Sequence, residues 1–327
     1  MSYYHGTCPK ISIAHIDCSG YTGLPVCLQY NNILRKRGRI DFMVAPDLAL
    51  GWYESYDNKY RKIGSQKRYS DKAILSCLEI RYLFRLKLRQ TQGFIDCLFE
   101  MSGIVMTCPD YSTLSRRSKD LAIGLRLNPD KKFEYVSVDS TGVQTYTGNE
   151  WLENKHGKSY KRRIWKKLHI VIDEAGNILA NEMSEHTSDD RHHLKSLLKN
   201  IATQELLGDP GYDSEAIYQM LRKRSIKPTI RPPNQEPALD TKAKGGECTE
   251  RQTQVLYQKT KGYHAWRVKN NYGRRELVEN TFFRFKNSFG SNFLSRADKT
   301  MNTELKIKCH LLNKMLKIGR VKTMRVA

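Results

Sequence analysis

From Ser70 onward, apolar positions recur at the spacing of amphipathic helices. Ser70 is a predicted N-cap, and the apolar positions after it are Ile74, Leu75, Leu78, Leu83 and Phe84. Two further helices are predicted, from about Thr91 to Met101 and from Ser112 to about Leu121, and the last carries Arg116 and Arg117. Three short helices ending in a basic one resemble a helix-turn-helix, whose last helix enters the major groove. A small helical subdomain with a solvated basic face fits the spacing equally well.

After about residue 130 the pattern changes to short apolar runs typical of strands. Strands are expected at Tyr135–Val138, Ile164–Asp173, Ile178–Met183, Glu205–Gly208 and Ile226–Arg231. Helices are expected at Asp189–Asn200, Ser214–Arg224, Arg274–Asn287 and Thr303–Lys317. Residues 234–270 are polar and turn-rich, which predicts an excursion from the sheet. The order of elements predicts an α/β protein: an RNase H-like mixed sheet flanked by helices, with an N-terminal helical region.

These changes of pattern divide the chain into four segments. Residues 1–30 show no clear periodicity and are an unassigned N-terminal extension. Residues 31–130 form the helical region, and residues 131–290 form the mixed-sheet domain that contains the polar excursion. Residues 291–327 are expected to form an amphipathic helix and a basic tail.

The net charge of the chain indicates which class of partner it binds. Lysine and arginine number 56 against 34 aspartate and glutamate, a formal net charge of +22. Such an excess is self-repulsive unless a polyanion neutralises it, and nucleic acid is the commonest candidate. A basic protein without a nucleic-acid role is the alternative. No stretch approaches the roughly 18 apolar residues of a membrane span, and the N-terminus lacks signal-peptide features, so we expect a cytoplasmic protein without a membrane partner.

The eight cysteines contain no C-x-x-C pair. Cys77 and Cys97 fall among apolar helical positions, which favours buried free thiols in a reducing compartment over disulfides or a zinc site.

Two aspartates have equivalent settings, since Asp139 and Asp209 each follow a β-type run. Carboxylates at the ends of neighbouring strands can converge, and Glu279 on the helix from residue 274 to about 287 offers a third. Three hard oxygen ligands suit Mg²⁺ or Mn²⁺, and two such ions support in-line displacement at phosphorus. Taken singly, an aspartate at a strand end is more often a turn or cap residue.

One helix carries a spaced set of polar residues, Y-x2-R-x3-E-x6-K, formed by Tyr272, Arg275, Glu279 and Lys286. The arginine, glutamate and lysine share one helix face, which a surface salt-bridge stripe would also explain. The apolar neighbours indicate a packed helix whose polar face overlooks a cleft; they are Leu277, Val278, Phe282, Phe283 and Phe285.

This spacing is the signature of bacterial insertion-sequence DDE transposases, and the chain resembles their insertion sequence 5 group. Further matching motifs are V-D-S-T-G (138–142), K-H-G (155–157), R-R-I-W-K-K-L-H (162–169), G-D-P-G-Y-D (208–213), L-R-Q-T-Q-G-F (88–94) and P-D-Y-S-T-L-S-R-R (109–117). The resemblance runs from about Tyr30 to the C-terminus. Pro210, where relatives often have a small residue, is a departure, and the first 29 or so residues are not covered.

The resemblance implies a function and its residues. Asp139, Asp209 and Glu279 become the ligands of two Mg²⁺ (or Mn²⁺) ions, and the remaining members of the helix signature, Tyr272, Arg275 and Lys286, become contacts to terminal DNA. The enzyme would cleave at the terminal inverted repeats and join the 3′ ends to target DNA by metal-dependent phosphoryl transfer. It would act as a homodimer on double-stranded DNA, in the bacterial cytoplasm at the nucleoid.

Other candidates are a basic run and four acids. Residues 155–167 contain seven basic residues and no acid, which predicts contact with the DNA backbone through Arg162, Arg163, Trp165 and Lys166. The basic predicted helix adds Arg116 and Arg117 to the DNA-binding set. Turn or cap roles are predicted for Asp173, Asp189, Asp190 and Asp213. Two other functions remain open: an RNase H-like nuclease without strand transfer, and an inactive DNA-binding relic.

Overall fold

The computed structural model describes residues 26–39, 50–54, 68–125, 131–145, 165–233 and 249–319. Its helices are α1 (Val26–Arg37), α2 (Asp71–Leu83), α3 (Leu88–Met101), α4 (Tyr111–Arg117), α5 (Asp190–Leu197), α6 (Glu215–Lys223), α7 (Glu250–Lys269), α8 (Glu276–Phe289) and α9 (Asp298–Ile318). Its strands are β1 (Lys132–Gln144), β2 (Trp165–Asp173), β3 (Ile178–Glu185), β4 (Ala202–Gly208) and β5 (Lys227–Ile230). Two 3₁₀ turns, Pro210–Tyr212 and Tyr272–Arg275, follow β4 and precede α8.

The five strands form one sheet in the order β3-β2-β1-β4-β5. The first three strands pair antiparallel, whereas β4 runs parallel to β1 and β5 parallel to β4. Each parallel strand is reached through a helix, α5 before β4 and α6 before β5, because parallel neighbours need a crossover. This arrangement confirms the predicted RNase H-like mixed sheet flanked by helices.

The sheet packs on both faces, as its alternating side chains require. On β2, Val171 joins the core made with α5 and α6, while its neighbours Ile170 and Ile172 join a second core. That second core also contains apolar residues of α2, α8 and α9. The N-terminal helical region therefore shares a core with the helix that carries Glu279.

Two helix starts show why the N-terminal helices begin where they do. The Ser70 hydroxyl accepts a hydrogen bond from the Ala73 amide at 3.1 Å, which confirms the predicted N-cap. At α4, the Asp110 carboxylate accepts from the Ser112 amide at 2.8 Å. That helix ends at Arg117, earlier than the predicted end near Leu121.

Several observed bounds differ from the predicted ones. The strand β1 does not end at Asp139 but continues to Gln144, because residues on that side pair with β2. The polar excursion predicted over 234–270 contains a helix from Glu250, whose Thr249 cap and Gln252 form a capping box. Its residues 234–248 lie outside the described chain. Helix α1 begins at Val26, inside the segment 1–30 that the sequence leaves unassigned.

The prediction of buried thiols holds for only one of the two cysteines. Cys77 is buried and free, whereas Cys97 is free but exposed on α3. Cys97 follows the buried Ile95 by two residues, a spacing that puts the two side chains on opposite sides of a helix.

The longest helices of the described chain carry charge along their length. In α9, Lys308 donates to Glu304 at 2.7 Å, with both side chains almost wholly buried. None of the helices in the described ranges is long and apolar enough to cross a membrane.

Candidate active site and nucleic-acid surfaces

The first two acids meet where the parallel pairing of β1 and β4 ends. The last paired residues are Ser137 of β1 and Leu207 of β4. Asp139 and Asp209 each lie two residues beyond that pair, so both follow the carboxyl end of the parallel ladder. The prediction that they share one edge of the sheet therefore survives, although β1 itself continues beyond Asp139.

Helix α8 is fixed to this edge at both ends. At its start, the Tyr272 hydroxyl donates to the Gly208 carbonyl at 2.8 Å, and the Tyr272 ring packs edge-on against Trp266 at 4.9 Å between centroids. Beyond its other end, the Phe293 amide donates to the Gln144 carbonyl at 3.1 Å. The Gln144 amide in turn donates to the Ser291 carbonyl at 2.9 Å. Because Tyr272 is buried, its side chain supports the turn before α8 and is not presented to solvent.

Arg275 links the first acid to the third. Its guanidinium donates from Nη2 to Asp139 Oδ2 at 2.7 Å and from Nη1 to Glu279 Oε1 at 2.6 Å. Its Nε is buried and has no hydrogen-bond partner among the described groups. The arginine is thus a resident cation between two carboxylates, and one of its donors is still unused.

The electrostatics of the acids depend on burial and on this cation. Burial raises the pKa of Asp139 to about 6, with the charges of Asp209 and Glu279 adding to the rise and Arg275 opposing it. Burial also raises the pKa of Asp209, where Arg275 again opposes the rise and Asp190 adds to it. Without a further cation, the site therefore resists carrying all of its negative charges.

The donor set suits a hard divalent ion, although its present arrangement is closed around Arg275. Carboxylate oxygens are the ligands that Mg²⁺ and Mn²⁺ prefer. No group of three or more histidine, cysteine, aspartate or glutamate side chains in the described ranges is arranged to hold a metal. Arg275 gives a physical reason, because its guanidinium stands between Asp139 and Glu279 where a bridging cation would bind them.

Lys286 also faces this edge, two turns after Glu279 on α8. Its Nζ donates to the Thr141 hydroxyl at 2.7 Å, and Thr141 lies two residues after Asp139 on β1. The structure therefore brings Arg275, Glu279 and Lys286 to one side of α8, facing β1, as their spacing predicted.

One acid of this edge was missed as a site residue. Asp189 caps α5, accepting from the Arg191 amide at 3.0 Å, as predicted. Asp190, also predicted to be a turn or cap residue, instead accepts from the Ser140 hydroxyl at 2.7 Å and from Lys167 Nζ at 2.8 Å. The only sequence signal was the doubled aspartate, because a helix start needs one cap.

The remaining two acids have structural partners. Asp173 accepts from the Ala175 amide at 2.9 Å and from the Asn177 amide at 2.8 Å, which confirms its turn role. Asp213 does not act mainly as a cap but forms a buried ion pair with Arg251, whose Nη2 lies 2.6 Å from its Oδ2.

The predicted basic run is described only at its end. Arg162 and Arg163 lie outside the described residues. Trp165 is 39% exposed at the start of β2, within van der Waals reach of Gly142. Lys166 is buried, and its Nζ donates to Glu185 at 2.8 Å and to Asp298 at 2.7 Å, so its charge is balanced within the chain.

A second cationic surface lies between the start of α3 and α4. Four exposed cations line this groove together with Tyr111, and no acid lines it; the cations are Lys87, Arg89, Arg116 and Lys119. Arg89 stacks over the Tyr111 ring at 4.3 Å. In the described part of the chain, no carboxylate forms an ion pair with any of the four cations. We call this surface the basic groove.

The other predicted arginine of α4 points inward. Arg117 Nη1 donates to the Tyr69 carbonyl at 2.9 Å, and its Nη2 pairs with Asp71. The side chain is 11% exposed, so it ties α4 to the start of α2. Adjacent residues of one helix thus have different surroundings.

Comparisons with known proteins find similarity to transposases. Two family models, each described as a transposase DDE domain, match residues 35–148 and 131–314. Among solved structures, a cryo-EM structure of the piggyBac transposase synaptic complex with hairpin DNA is 10% identical, with a TM-score of 0.38, over 87% of this chain and 76% of that chain. A crystal structure of a pre-cleavage Mos1 transpososome is 9% identical, with a TM-score of 0.18, over 81% of this chain and 84% of that chain.

Proposed function

The chain belongs to the family of transposase DDE domains, whose match spans residues 131–314, and from this premise we propose a specific reaction. The protein is an insertion-sequence transposase of the insertion sequence 5 group. It cleaves DNA at the terminal inverted repeats of its element and joins the freed 3′ ends to target DNA. The observation that carries the proposal is the gathering of Asp139, Asp209 and Glu279 beside Arg275 at the carboxyl end of the β1–β4 ladder.

The metal ligands in this proposal are Asp139, Asp209 and Glu279, with two Mg²⁺ or Mn²⁺ ions. When bound, such ions activate a water or a 3′-hydroxyl and stabilise the leaving oxygen. The protein's own part is to hold the carboxylates on rigid elements, two beside sheet strands and one on a helix fixed at both ends. That support fits the precision that phosphoryl transfer demands of its ligands.

Two basic residues of α8 and its preceding turn are proposed contacts to the terminal DNA. Among the described residues, the Lys286 ammonium donates to a neutral hydroxyl, so it keeps hydrogen-bonding capacity for phosphate oxygens. The Arg275 guanidinium, held by Asp139 and Glu279, supplies positive charge beside the acids where a phosphate would bind. Tyr272 is assigned a supporting role, because its hydroxyl is already committed to Gly208. It acts on DNA by placing Arg275.

The basic groove is a proposed contact to duplex DNA, which keeps residues 31–130 as the DNA-binding region. Four exposed cations, which have no carboxylate partner within the described ranges, give a surface that a phosphate backbone can neutralise. Residues 131–290 form the catalytic domain in this scheme. Two element ends must be joined in one complex, so the active form is a homodimer on DNA in the bacterial cytoplasm, at the nucleoid.

A cleavage assay on end-repeat DNA tests the proposal. We expect the wild-type chain with Mg²⁺ to nick the repeat ends and to give strand-transfer products on a plasmid target. Asp139→Asn should keep DNA binding and lose about a thousandfold in cleavage rate, because a metal ligand is replaced by a neutral amide. Asp189→Asn is the matched control, since asparagine caps a helix as well as aspartate does.

The assay also separates the alternatives. Cleavage without joined products would favour an RNase H-like nuclease. Binding without cleavage in both wild type and variant would favour an inactive relic. Equal cleavage by wild type and Asp139→Asn would overturn the assignment of the metal ligands.

A further inference from the structure

Two adjacent aspartates at the start of α5 have separate tasks. Asp189 takes the cap position, and its carboxylate is also bonded to the side chain of Arg191, the residue whose amide it caps. Asp190 is the first residue of the helix and makes no cap bond, which leaves its carboxylate to turn toward the sheet. It is 16% exposed there.

The bonds of Asp190 lead directly to the first catalytic acid. Its Oδ2 accepts from the Ser140 hydroxyl at 2.7 Å. The Ser140 amide donates to Asp139 Oδ1 at 2.8 Å, so one residue lies between the two carboxylates. The other oxygen of Asp190, Oδ1, accepts from Lys167 Nζ at 2.8 Å, and Lys167 also donates to the Ser188 carbonyl at 2.9 Å.

The field of Asp190 also reaches the second acid. Its charge is one cause of the raised pKa of Asp209, and Lys167 opposes that rise. Close to these groups, the hydroxyl of Tyr212 is buried without a hydrogen-bond partner in the described chain. The charges of Asp190, Asp139 and Asp209 all act on that phenol. This hydroxyl is a donor that the described chain leaves without an acceptor, and a water or another ligand could supply one.

We propose that Asp190 is a fourth acid of the active site. It is a positioning residue: through Ser140 it fixes the orientation of Asp139, and its charge, partly balanced by Lys167, sets the affinity of the site for divalent cations. The inference rests on the proposed function, which places the metal at Asp139 and Asp209. Residues beside metal ligands commonly change metal affinity by about 10- to 100-fold when they are altered.

The pairing of Asp190 with Lys167 supplies a test of sign. If the pair only joined α5 to β2, loss of either partner would weaken the local structure and metal binding together. If Asp190 acts through its charge, its loss must weaken cation binding, whereas loss of the Lys167 charge must strengthen it. A merely structural role cannot produce effects of opposite sign.

The experiment measures Mn²⁺ binding to the full chain without DNA, by the electron paramagnetic resonance signal of free Mn²⁺. We expect Asp190→Asn to weaken Mn²⁺ binding about tenfold and Lys167→Met to tighten it by about threefold, because each substitution removes one charge close to the bound ion. Asp189→Asn is the adjacent control and should bind as wild type does. Ser140→Ala removes the hydroxyl bond to Asp190, and so uncouples Asp190 from Asp139 without changing charge; it should weaken binding by about threefold.

Three outcomes decide the matter, with far-ultraviolet circular dichroism as the check of folding. If Asp139→Asn weakens Mn²⁺ binding but Asp190→Asn and Lys167→Met do not shift it in opposite directions, the inference is overturned and the metal site stands. If Asp139→Asn leaves Mn²⁺ binding unchanged, the proposed metal site itself fails, and the inference fails with it. Should Asp190→Asn not fold, Lys167→Met and Ser140→Ala decide, since tighter binding in the first and weaker binding in the second support the proposal and any other pattern overturns it.

Discussion

The proposed active site and the basic groove concentrate charge in opposite ways. At the proposed active site the charges are paired inside the chain, Arg275 with the buried Asp139 and the exposed Glu279, and Lys167 with Asp190. In the basic groove, four exposed cations have no carboxylate partner in the described chain. The first arrangement holds a geometry before any ligand arrives, and the second leaves its charge for a partner to neutralise.

This difference in charge pairing indicates what each region can contribute to ligand binding. Charges that are paired and desolvated fix side chains in place, and breaking one pair leaves an uncompensated charge. Exposed cations make little contribution to stability, but they release counterions when they meet phosphate. In the proposed function, the acids thus supply a preorganised site and the basic groove supplies affinity for DNA.

The largest effect is expected when the positive charge of the basic groove is removed. Replacing Lys87, Arg89, Arg116 and Lys119 together by serine should reduce the slope of log affinity against log salt by about 3.6, at ~0.9 for each phosphate contact. Affinity for duplex DNA at physiological salt should fall by about a hundredfold or more. The measurement is fluorescence anisotropy with labelled duplex at several salt concentrations.

A charge-matched variant is the control for that experiment. It replaces four exposed cations outside the groove by serine: Lys195, Lys199, Arg222 and Lys223. An equal loss of slope in this control would mean that net charge, and not the groove, determines binding.

A smaller effect comes from removing the resident cation of the active site. Arg275→Gln should lower the free energy of unfolding of the metal-free protein by about 2 kcal/mol, because Asp139 is left buried without its partner. Mn²⁺ should restore this loss, since a divalent ion can take the place of the guanidinium. Thermal melts with and without Mn²⁺ measure both quantities.

Its neighbour provides the comparison. Arg274 pairs with Glu205 at 2.8 Å, away from the catalytic acids. Arg274→Gln should lose stability that Mn²⁺ does not restore. If Mn²⁺ stabilises the two variants equally, Arg275 is not standing in for the metal.

A third effect is the pH dependence of metal binding. With a pKa of about 6, raised from the ordinary value of 3.8, Asp139 is largely protonated below pH 6. Mn²⁺ affinity should therefore fall by up to about tenfold for each pH unit below 6 and level off above it. Calorimetric titrations between pH 5 and pH 8, spanning about 1 unit below the pKa and 2 above, measure this curve.

The same raised pKa has the opposite sign for stability. A folded-state pKa above the unfolded value favours the protonated native protein, so this contribution to stability is present at low pH and is lost as pH rises through about 6. In the metal-free chain, Asp139→Asn should remove this loss. A stability curve that keeps the same slope in the variant would assign the titration to another group.

The smallest effect separates the adjacent arginines of α4. Arg116→Ser should lower the salt slope by about 0.9 and leave stability unchanged, as expected of an exposed cation. Arg117→Ser should leave the slope unchanged and cost about 1 kcal/mol of stability, because its bond to the Tyr69 carbonyl is lost. Reversed results would mean that the groove lies on the other side of α4.

Much of the sheet could be predicted because its residues alternate or form unbroken apolar runs. Strand β4 ends at Gly208 in both the sequence pattern and the structure, so Asp209 was correctly placed directly after a strand end. Asp139 was wrongly placed at a strand end, because Ser140-Thr141-Gly142 has the composition of a turn. Pairing with β2 keeps that segment extended, and a partner strand is not visible in the local pattern.

Tertiary contacts decide what the sequence could not show. By sequence, Asp189 and Asp190 could each cap α5, and only the positions of Ser140 and Lys167 distinguish them. The sequence of helix α7 is polar and contains Gly262, so its pattern favoured a loop. In the structure Gly262 has φ +83°, a conformation that few other residues tolerate, and the helix is kinked there. Its Trp266 packs on Tyr272, a contact between two segments that neither one predicts alone.

The attachment of α8 at both ends has a consequence for the time scale of its motions. A helix anchored by Tyr272 before it and by the Gln144 bridge after it cannot fray from either terminus without breaking a contact to the sheet. Amide protons of its central turns should therefore exchange with solvent only when the whole domain opens. Glu279 lies in the first turn of this helix, next to the end that Tyr272 anchors, so in the proposed function this acid is already in place when DNA arrives.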